Sequence, residues 1–400
     1  MQNLMGDEIL MRVALFTETF LPKRDGIVTV ICLLLDHLQK RGVETVLVAP
    51  TVDEELGEMV TCYGSTPIIR VRGLAPLPLY KEIKLSPPTY YTYKQLRDFN
   101  PDIAHFIHPV LVGGFGVLMA KQLGIPNLTS FHLDFSEMAR HFSVGPLSTG
   151  FLADPISYFT RFTFNLADYT LAPSKLVQRQ LLDLGVERVG LWKRGVDAKR
   201  FNPAFYSDEM RYRMTDGDVD KPLLLYVGRL SHEKQIDKLR SILERMPDVR
   251  LALVGDGPLR AELEEQFKGL PAKFMGRLIG DELSQAYASA DVFTFASALE
   301  TFGLVVVEAM AAGLPVVSSR VGGIPDVVEE GVTGYTFEVG DIEAMVAGVR
   351  NIIANRDTIE RMGRAARAYA ETQSWPAMME EVIDHYERLI HANHLTRQVV

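Results

Sequence analysis

Short runs of β-branched, aliphatic and aromatic residues alternate along the chain with stretches whose apolar positions recur every three or four residues. The runs at 13–17, 45–49, 68–71, 103–107, 128–131, 169–172 and 189–192 form one series of predicted strands. A second series covers 223–227, 249–254, 272–275, 292–295 and 315–318. Amphipathic stretches such as 27–41 and 174–184 lie between them and read as helices. Buried strands alternating with helices imply parallel sheets built from right-handed βαβ units. The pattern therefore predicts an α/β protein with two doubly wound, Rossmann-like domains.

The break between the series falls after Phe201, where Asn202-Pro203 precedes a charged segment, 207–221, that ends in DGDVDK. A calcium loop starting at Asp216 would need Gly at its sixth position and Glu at its twelfth, but Lys221 and Val227 stand there. The segment reads as a solvated linker. Domains are expected at 1–204 and 205–375, with helices over 376–400, spaced by Met378, Val382, Tyr386 and Ile390, packing back on the first.

Composition narrows the class. Four hundred residues, 47% apolar and 23% charged, exceed one typical core and exclude a disordered chain or a collagen. Only Cys32 and Cys62 occur, which excludes a disulfide scaffold or zinc ribbon and points to a reducing, cytoplasmic setting. A net charge of −9 argues against nucleic acid as a general partner. No signal peptide and no uncharged apolar stretch of spanning length are legible, and Met11 is an alternative start.

In open parallel sheets ligands bind beyond the carboxyl ends of strands, so the loops there hold the candidate chemistry. After the first strand, Gly26 opens a helix whose amides suit an anion, although such a glycine is more often a simple turn. After the first strand of the second series comes VGRLSHEK, where Arg229 and Lys234 together can neutralise a diphosphate; two solvated surface cations are the competing reading. The stretch 298–335 is richer. Glu300 stands in a loop, Gly303 permits close approach, and the amides from Phe302 to Val305 precede a helix. Glu308 lies one turn inside that otherwise apolar helix and needs a hydrogen-bonding partner, which a ribose diol would supply.

Glu300 and Glu308 in an E-x7-E spacing, followed by EAMAAGLPVV and VGGIPD, with VGR…EK and VGDGP upstream, resemble the family-four retaining glycosyltransferases of the GT-B fold. The likeness runs over residues 12–375. It implies two Rossmann-like domains facing a central cleft that closes on its substrates. By the same resemblance Arg229 and Lys234 grip the donor diphosphate, Glu308 holds the nucleotide ribose, and Glu300 contacts the donor sugar with amides of Phe302, Gly303, Leu304 and Val305. Gly26 would approach the phosphates from the first domain, while Gly255 and the segment with Met275, Arg277 and Leu278 would lie beside the base. His132, in TSFHLDF, matches the position facing the reacting sugar; a satisfied core histidine is the alternative. His105 and His108 lack a third metal ligand, and no D-x-D stands at a strand end, so no metal or other cofactor is expected. No carboxylate nucleophile is evident, which favours front-face substitution by a retaining hexosyltransferase of the EC 2.4 class.

LFTETFLPKRDGIV, LPLYKEIKLSPP and LWKRGVDAKRF are similar to the branch that glycosylates membrane lipids, the sulfoquinovosyl-diacylglycerol synthases and lipid mannosyltransferases. Asp25-Gly26 replaces the usual double glycine and Gln235 a small residue. Arg70, Arg72, Lys81 and Lys84 interleave with Leu74, Leu77, Leu79, Tyr80 and Ile83, a pattern suited either to an anionic leaflet or to a solvated cleft wall. The expected partners are thus a UDP- or GDP-sugar and a glycerolipid or glycolipid acceptor, met peripherally on the inner face of the cytoplasmic membrane. A cytosolic transferase with a small soluble acceptor and a non-catalytic nucleotide-sugar-binding protein remain as alternatives.

Overall fold

The computed structural model describes residues 11–23, 26–51, 58–73, 76–77, 80–84, 86–107, 109–110, 112–132, 143–144, 147–148, 153–193 and 195–399. The chain divides into two compact units. One comprises Met1–Pro173, Gln178–Trp192 and Met379–Val400; the other comprises Ser174–Val177 and Lys193–Met378.

In the first unit the main sheet has eight strands, in the spatial order Val189–Leu191, Tyr169–Ala172, Asn127–Ser130, Ile103–Ile107, Arg12–Thr17, Glu44–Pro50, Thr66–Val71 and Cys62–Tyr63. Every pairing is parallel except the last, and Leu15 lies between Leu47 and His105 in the register. Val13, Ala14, Leu15 and Phe16 are fully buried, as expected for a strand covered on both faces. The C-terminal helix, Trp375–Val399, is continuous, and its residues from Met379 onward belong to this unit. There Glu380 meets His37 at 2.8 Å and Val382 and Tyr386 are fully buried.

The second unit holds a six-stranded, wholly parallel sheet ordered Ala272–Gly276, Arg250–Val254, Leu223–Val227, Val292–Phe295, Val316–Ser319 and Gly334–Phe337. Numbered along the unit, this is the order 3-2-1-4-5-6 of a dinucleotide-binding sheet, and it reverses between Leu223–Val227 and Val292–Phe295. The carboxyl ends of those two strands flank the crevice where such sheets take ligands.

Two sequence expectations need correction. Residues 207–221 are not a solvated linker: Ser207 caps a helix, Asp208–Thr215, whose Met210 and Met214 enter the core one turn apart. The segment from Lys193 also clusters with the second unit rather than ending the first, because Val196 and Phe201 pack into the second unit's core.

Candidate active site

The site in the second unit grows from the strand reversal. Leu223–Val227 is buried throughout and delivers the chain to Gly228 and Arg229. A short 3-10 turn, His232–Lys234, follows, and Gln235 then adopts φ +46°. The turn is pinned from the neighbouring strand end: Ala298 N–H donates to Glu233 O at 2.7 Å and Ser297 Oγ–H at 3.2 Å. That brace points Lys234 at Glu300. Its ammonium lies 3.0 Å from Glu300 Oε2 and 5.3 Å from the centroid of the Phe295 ring. Lys234 and Glu300 are four-fifths buried, with side chains 17% and 19% exposed, so solvent screens their attraction only partly. Burial by itself would raise the Glu300 carboxyl, but Lys234 and the amides of Thr301 and Phe302 hold it below its ordinary value. Arg229 is exposed on the same loop, and its carbonyl accepts from the buried Tyr226 hydroxyl at 2.9 Å.

Glycines let the surrounding loops touch backbone to backbone. A Cβ on Gly255, where φ is +140°, would stand 1.9 Å from Gly228 O; one on Gly322 would stand 2.0 Å from Glu300 O. Gly255 N–H also donates to Gly276 O at 2.8 Å. Three strand-end loops are thereby fixed to one another. Beyond Gly276, Arg277 is exposed and Leu278 is buried in the core, while Met275 borders a surface cavity of about 480 Å³ with Tyr212, Lys273 and Phe274.

The helix Leu304–Ala311 starts at Gly303, whose φ of +88° suits only glycine well. Phe302 is buried beneath it, and the amides of Leu304 and Val305 fall in its first turn, where no intrahelical acceptor exists. Glu308 is half-buried. Its partner is not legible in the sequence: Tyr287, fully buried on the helix Gly280–Ala288, donates its hydroxyl to Glu308 Oε2 at 2.9 Å. Burial pushes the Glu308 carboxyl up to about 7, against the opposing pull of the Tyr287 hydrogen bond and of the Arg200 charge. Tyr287 and Arg200 are thus added to the candidate residues; neither is singled out by a motif or spacing in the sequence.

Two other candidates lie in the first unit. Gly26 opens the helix Gly26–Lys40, and Asp25 beside it lies outside the described residues. His132 is buried, with Nε2 2.9 Å from Ser130 Oγ. His105 is fully buried between Ser130 and Tyr386, and His108 lies outside the described residues. Glu18 was not singled out in the sequence. At the sheet reversal of this unit, its carboxylate accepts from Val110 N–H and Gly113 N–H at 3.0 Å and from Val112 N–H at 3.2 Å. The protein's own anion therefore occupies the start of the helix Val112–Leu123.

Residues 24–200 match the family described as Glycosyltransferase Family 4, and residues 214–369 match Glycosyl transferases group 1. The chain is 34% identical over 378 residues to the GDP-mannose-dependent alpha-mannosyltransferase of Mycobacterium tuberculosis, covering 94% of this chain and 96% of that protein. The chain belongs to glycosyltransferase family 4. This glycosyltransferase is also 38% identical over 353 residues to sulfoquinovosyl transferase SQD2 of Arabidopsis thaliana, covering 86% of this chain and 67% of that protein. The Anabaena Alr3699/HepE structure in complex with UDP matches with a TM-score of 0.74 at 19% identity, covering 94% of this chain and all of that one. Its two parallel-sheet units are those of the GT-B fold.

Proposed function

We propose that this glycosyltransferase is a retaining hexosyltransferase that moves a sugar from a UDP- or GDP-sugar to a hydroxyl of a membrane glycerolipid or glycolipid. The observation that carries the reading is the Lys234–Glu300 pair at 3.0 Å on the strand ends that flank the sheet reversal. In the reaction the anomeric carbon–phosphate oxygen bond breaks while the acceptor oxygen adds to the same face. The departing diphosphate oxygen takes the acceptor's proton. Lys234 and Arg229 stabilise the charge that develops on that oxygen, a contribution of about 3–4 kcal/mol for a preorganised group. Glu300 accepts from donor-sugar hydroxyls, Glu308 from the ribose diol, and the Leu304 and Val305 amides face the phosphates. Gly255, Met275, Arg277 and Leu278 form the surroundings of the base, and His132 in the first unit serves the reacting sugar. Because side chains supply the positive charge, turnover is expected to persist in EDTA. The reading is tested by incubating UDP-glucose and GDP-mannose with diacylglycerol vesicles and determining the anomeric configuration of the product. An α-linked product supports retention, and a β-linked product overturns it.

Nucleotide binding should report Glu308 directly. Replacing Glu308 by Gln removes a carboxylate acceptor, so the nucleotide diphosphate should bind about 1.5–3 kcal/mol more weakly at pH 8. The pH dependence has a definite sign. With a carboxyl titrating at about 7, the acceptor form is the minor species at pH 6 and the major one at pH 8. Binding selects that form, so affinity should rise about tenfold over the interval from this group alone. Phosphate titration also contributes, and it persists in Glu308→Gln. Calorimetry on both proteins isolates the difference; identical pH slopes would leave Glu308 a structural role.

The lipid acceptor is supported by the branch wording in the sequence and by the sulfoquinovosyl transferase relative. Arg70 has to be withdrawn as a membrane cation. Its guanidinium donates to Val60 O at 2.7 and 3.0 Å, to Pro50 O at 2.9 Å and to Leu21 O at 3.0 Å, so it ties loops together. Arg72 is exposed, and the side chains of residues 74–85 lie outside the described residues. Among the described residues no helix is long and apolar enough to cross a membrane. Phe115 and Leu118 on Val112–Leu123, with Tyr158 and Phe162 on the neighbouring Ala153–Leu166, are exposed and better suited to an interfacial contact on the cytoplasmic face. Flotation with anionic vesicles should capture the protein at low salt, and Phe115→Ser with Phe162→Ser should release it. No flotation of the unmodified protein would replace the lipid acceptor by a soluble one.

A further inference from the structure

Resting on the reading of His132 as the group that serves the reacting sugar, we infer that Tyr386 of the C-terminal helix, through His105 and Ser130, sets the tautomer of His132. The three are positioning residues, and they hold His132 with its proton on Nδ1. The parallel register pairs Ile107 with Ser130 and His105 with Leu128, so alternation puts His105 and Ser130 on one face of the sheet. The chain of contacts on that face is continuous. Tyr386 Oη lies 2.7 Å from His105 Nδ1, His105 Nε2 lies 2.9 Å from Ser130 Oγ, and Ser130 Oγ lies 2.9 Å from His132 Nε2. His105, Ser130 and Tyr386 are fully buried and His132 is 7% exposed. Trp192 packs against both imidazoles, with ring centroids 5.8 Å from His105 and 5.9 Å from His132.

The direction of the protons follows from the end of the chain. A phenol buried to this degree must donate its one O–H, and among the described residues His105 Nδ1 is its acceptor. His105 Nδ1 is therefore bare, which puts the ring proton on Nε2, where it is donated to Ser130 Oγ. The hydroxyl of Ser130 then donates onward to His132 Nε2. A neutral His132 so held carries its proton on Nδ1 and acts as a hydrogen-bond donor through that atom. The opposite polarity would leave the buried Tyr386 hydroxyl hydrogen without an acceptor among the described residues, at the desolvation cost of an unpaired polar group. Tyr386 lies 254 residues after His132 in the chain, and neither a motif nor a spacing connects them.

A double-mutant cycle on the full chain tests the relay, reading release of nucleotide diphosphate from UDP-glucose or GDP-mannose. Tyr386→Phe keeps the ring and removes the donor, so kcat should fall about five- to tenfold with KM within about twofold. In a His132→Ala background the same change should have no further effect on kcat. Equal losses of kcat in both backgrounds would reduce Tyr386 to a packing residue and overturn the inference. If His132→Ala turns over at the unmodified rate, the sugar-facing role fails, and nitrogen NMR of 15N-histidine protein decides the relay separately. A protonated Nδ1 on His132 that becomes a tautomer mixture in Tyr386→Phe supports it; a protonated Nε2 in the unmodified protein overturns it.

Discussion

Replacing Lys234 by alanine should lower kcat/KM for the nucleotide sugar at least about a hundredfold while leaving the unit folded. The ammonium is held by Glu300 at 3.0 Å and packed over Phe295, so it is preorganised toward the strand ends rather than free to sample solvent. Charge developing on the leaving diphosphate meets a cation whose reorganisation has already taken place during folding. Arg229→Ala should act in the same direction, since its guanidinium lies on the same loop. Lys234→Ala also strands Glu300, whose low carboxyl depends on that partner once burial, which acts the other way, is set against it. The stabilising share of the pair is present above the ordinary carboxylate pKa and lost as pH falls through the lowered one. At neutral pH the variant therefore loses that share, and its melting temperature should recover in part in Lys234→Ala with Glu300→Gln. Steady-state kinetics and thermal unfolding check both statements; unchanged turnover in both cation variants would remove this loop from the active site.

Part of this unit could be read from the sequence because its two central strands are buried throughout and show as apolar or aromatic runs. Leu223–Val227 and Val292–Phe295 were located that way, and with them the loops that carry Lys234 and Glu300. The sixth strand, Gly334–Phe337, escapes because it is only four residues long, opens on a glycine and leaves Tyr335 and Thr336 half-buried, so no apolar run marks it. That glycine reads as a turn but exists for contact: a Cβ there would stand 2.0 Å from Val316 O. Tyr287 was illegible as a site residue for a different reason. Its ring meets Phe201 edge-on at 5.3 Å and belongs to the core, and only its hydroxyl, aimed at Glu308, belongs to the chemistry. Arg70 shows the converse error, since an arginine among apolar residues looks solvent-facing until the carbonyls that it satisfies are located. Local pattern identifies which loops can hold chemistry; it does not identify partners brought in from 20 or more residues away.

The largest loss of stability is expected at a residue with no part in the reaction. Asp291 is 4% exposed; its Oδ2 lies 2.9 Å from Arg211 Nη2 and accepts from Leu223 N–H at 2.8 Å, and its Oδ1 lies 2.8 Å from Arg356 Nη1. Arg211 spends three further donors on Val219 O at 2.7 Å, Ser289 O at 2.9 Å and Lys221 O at 3.0 Å. One carboxylate thus joins the helix Asp208–Thr215, the first strand of the second sheet and the helix Arg356–Glu371. Asp291→Ala leaves a buried guanidinium without its counter-charge, which should cost about 3–5 kcal/mol. Arg211→Met in the same protein should return part of that loss, because it removes the stranded charge but also removes the donor to the Val219, Ser289 and Lys221 carbonyls. Trp375 belongs to this unit and Trp192 to the other, so Trp375 fluorescence in a Trp192→Phe background follows the second unit alone. Urea unfolding should show a lower midpoint at an unchanged slope. A loss below about 1 kcal/mol would mean that Arg356 and the carbonyls around Arg211 hold the segment without the buried carboxylate.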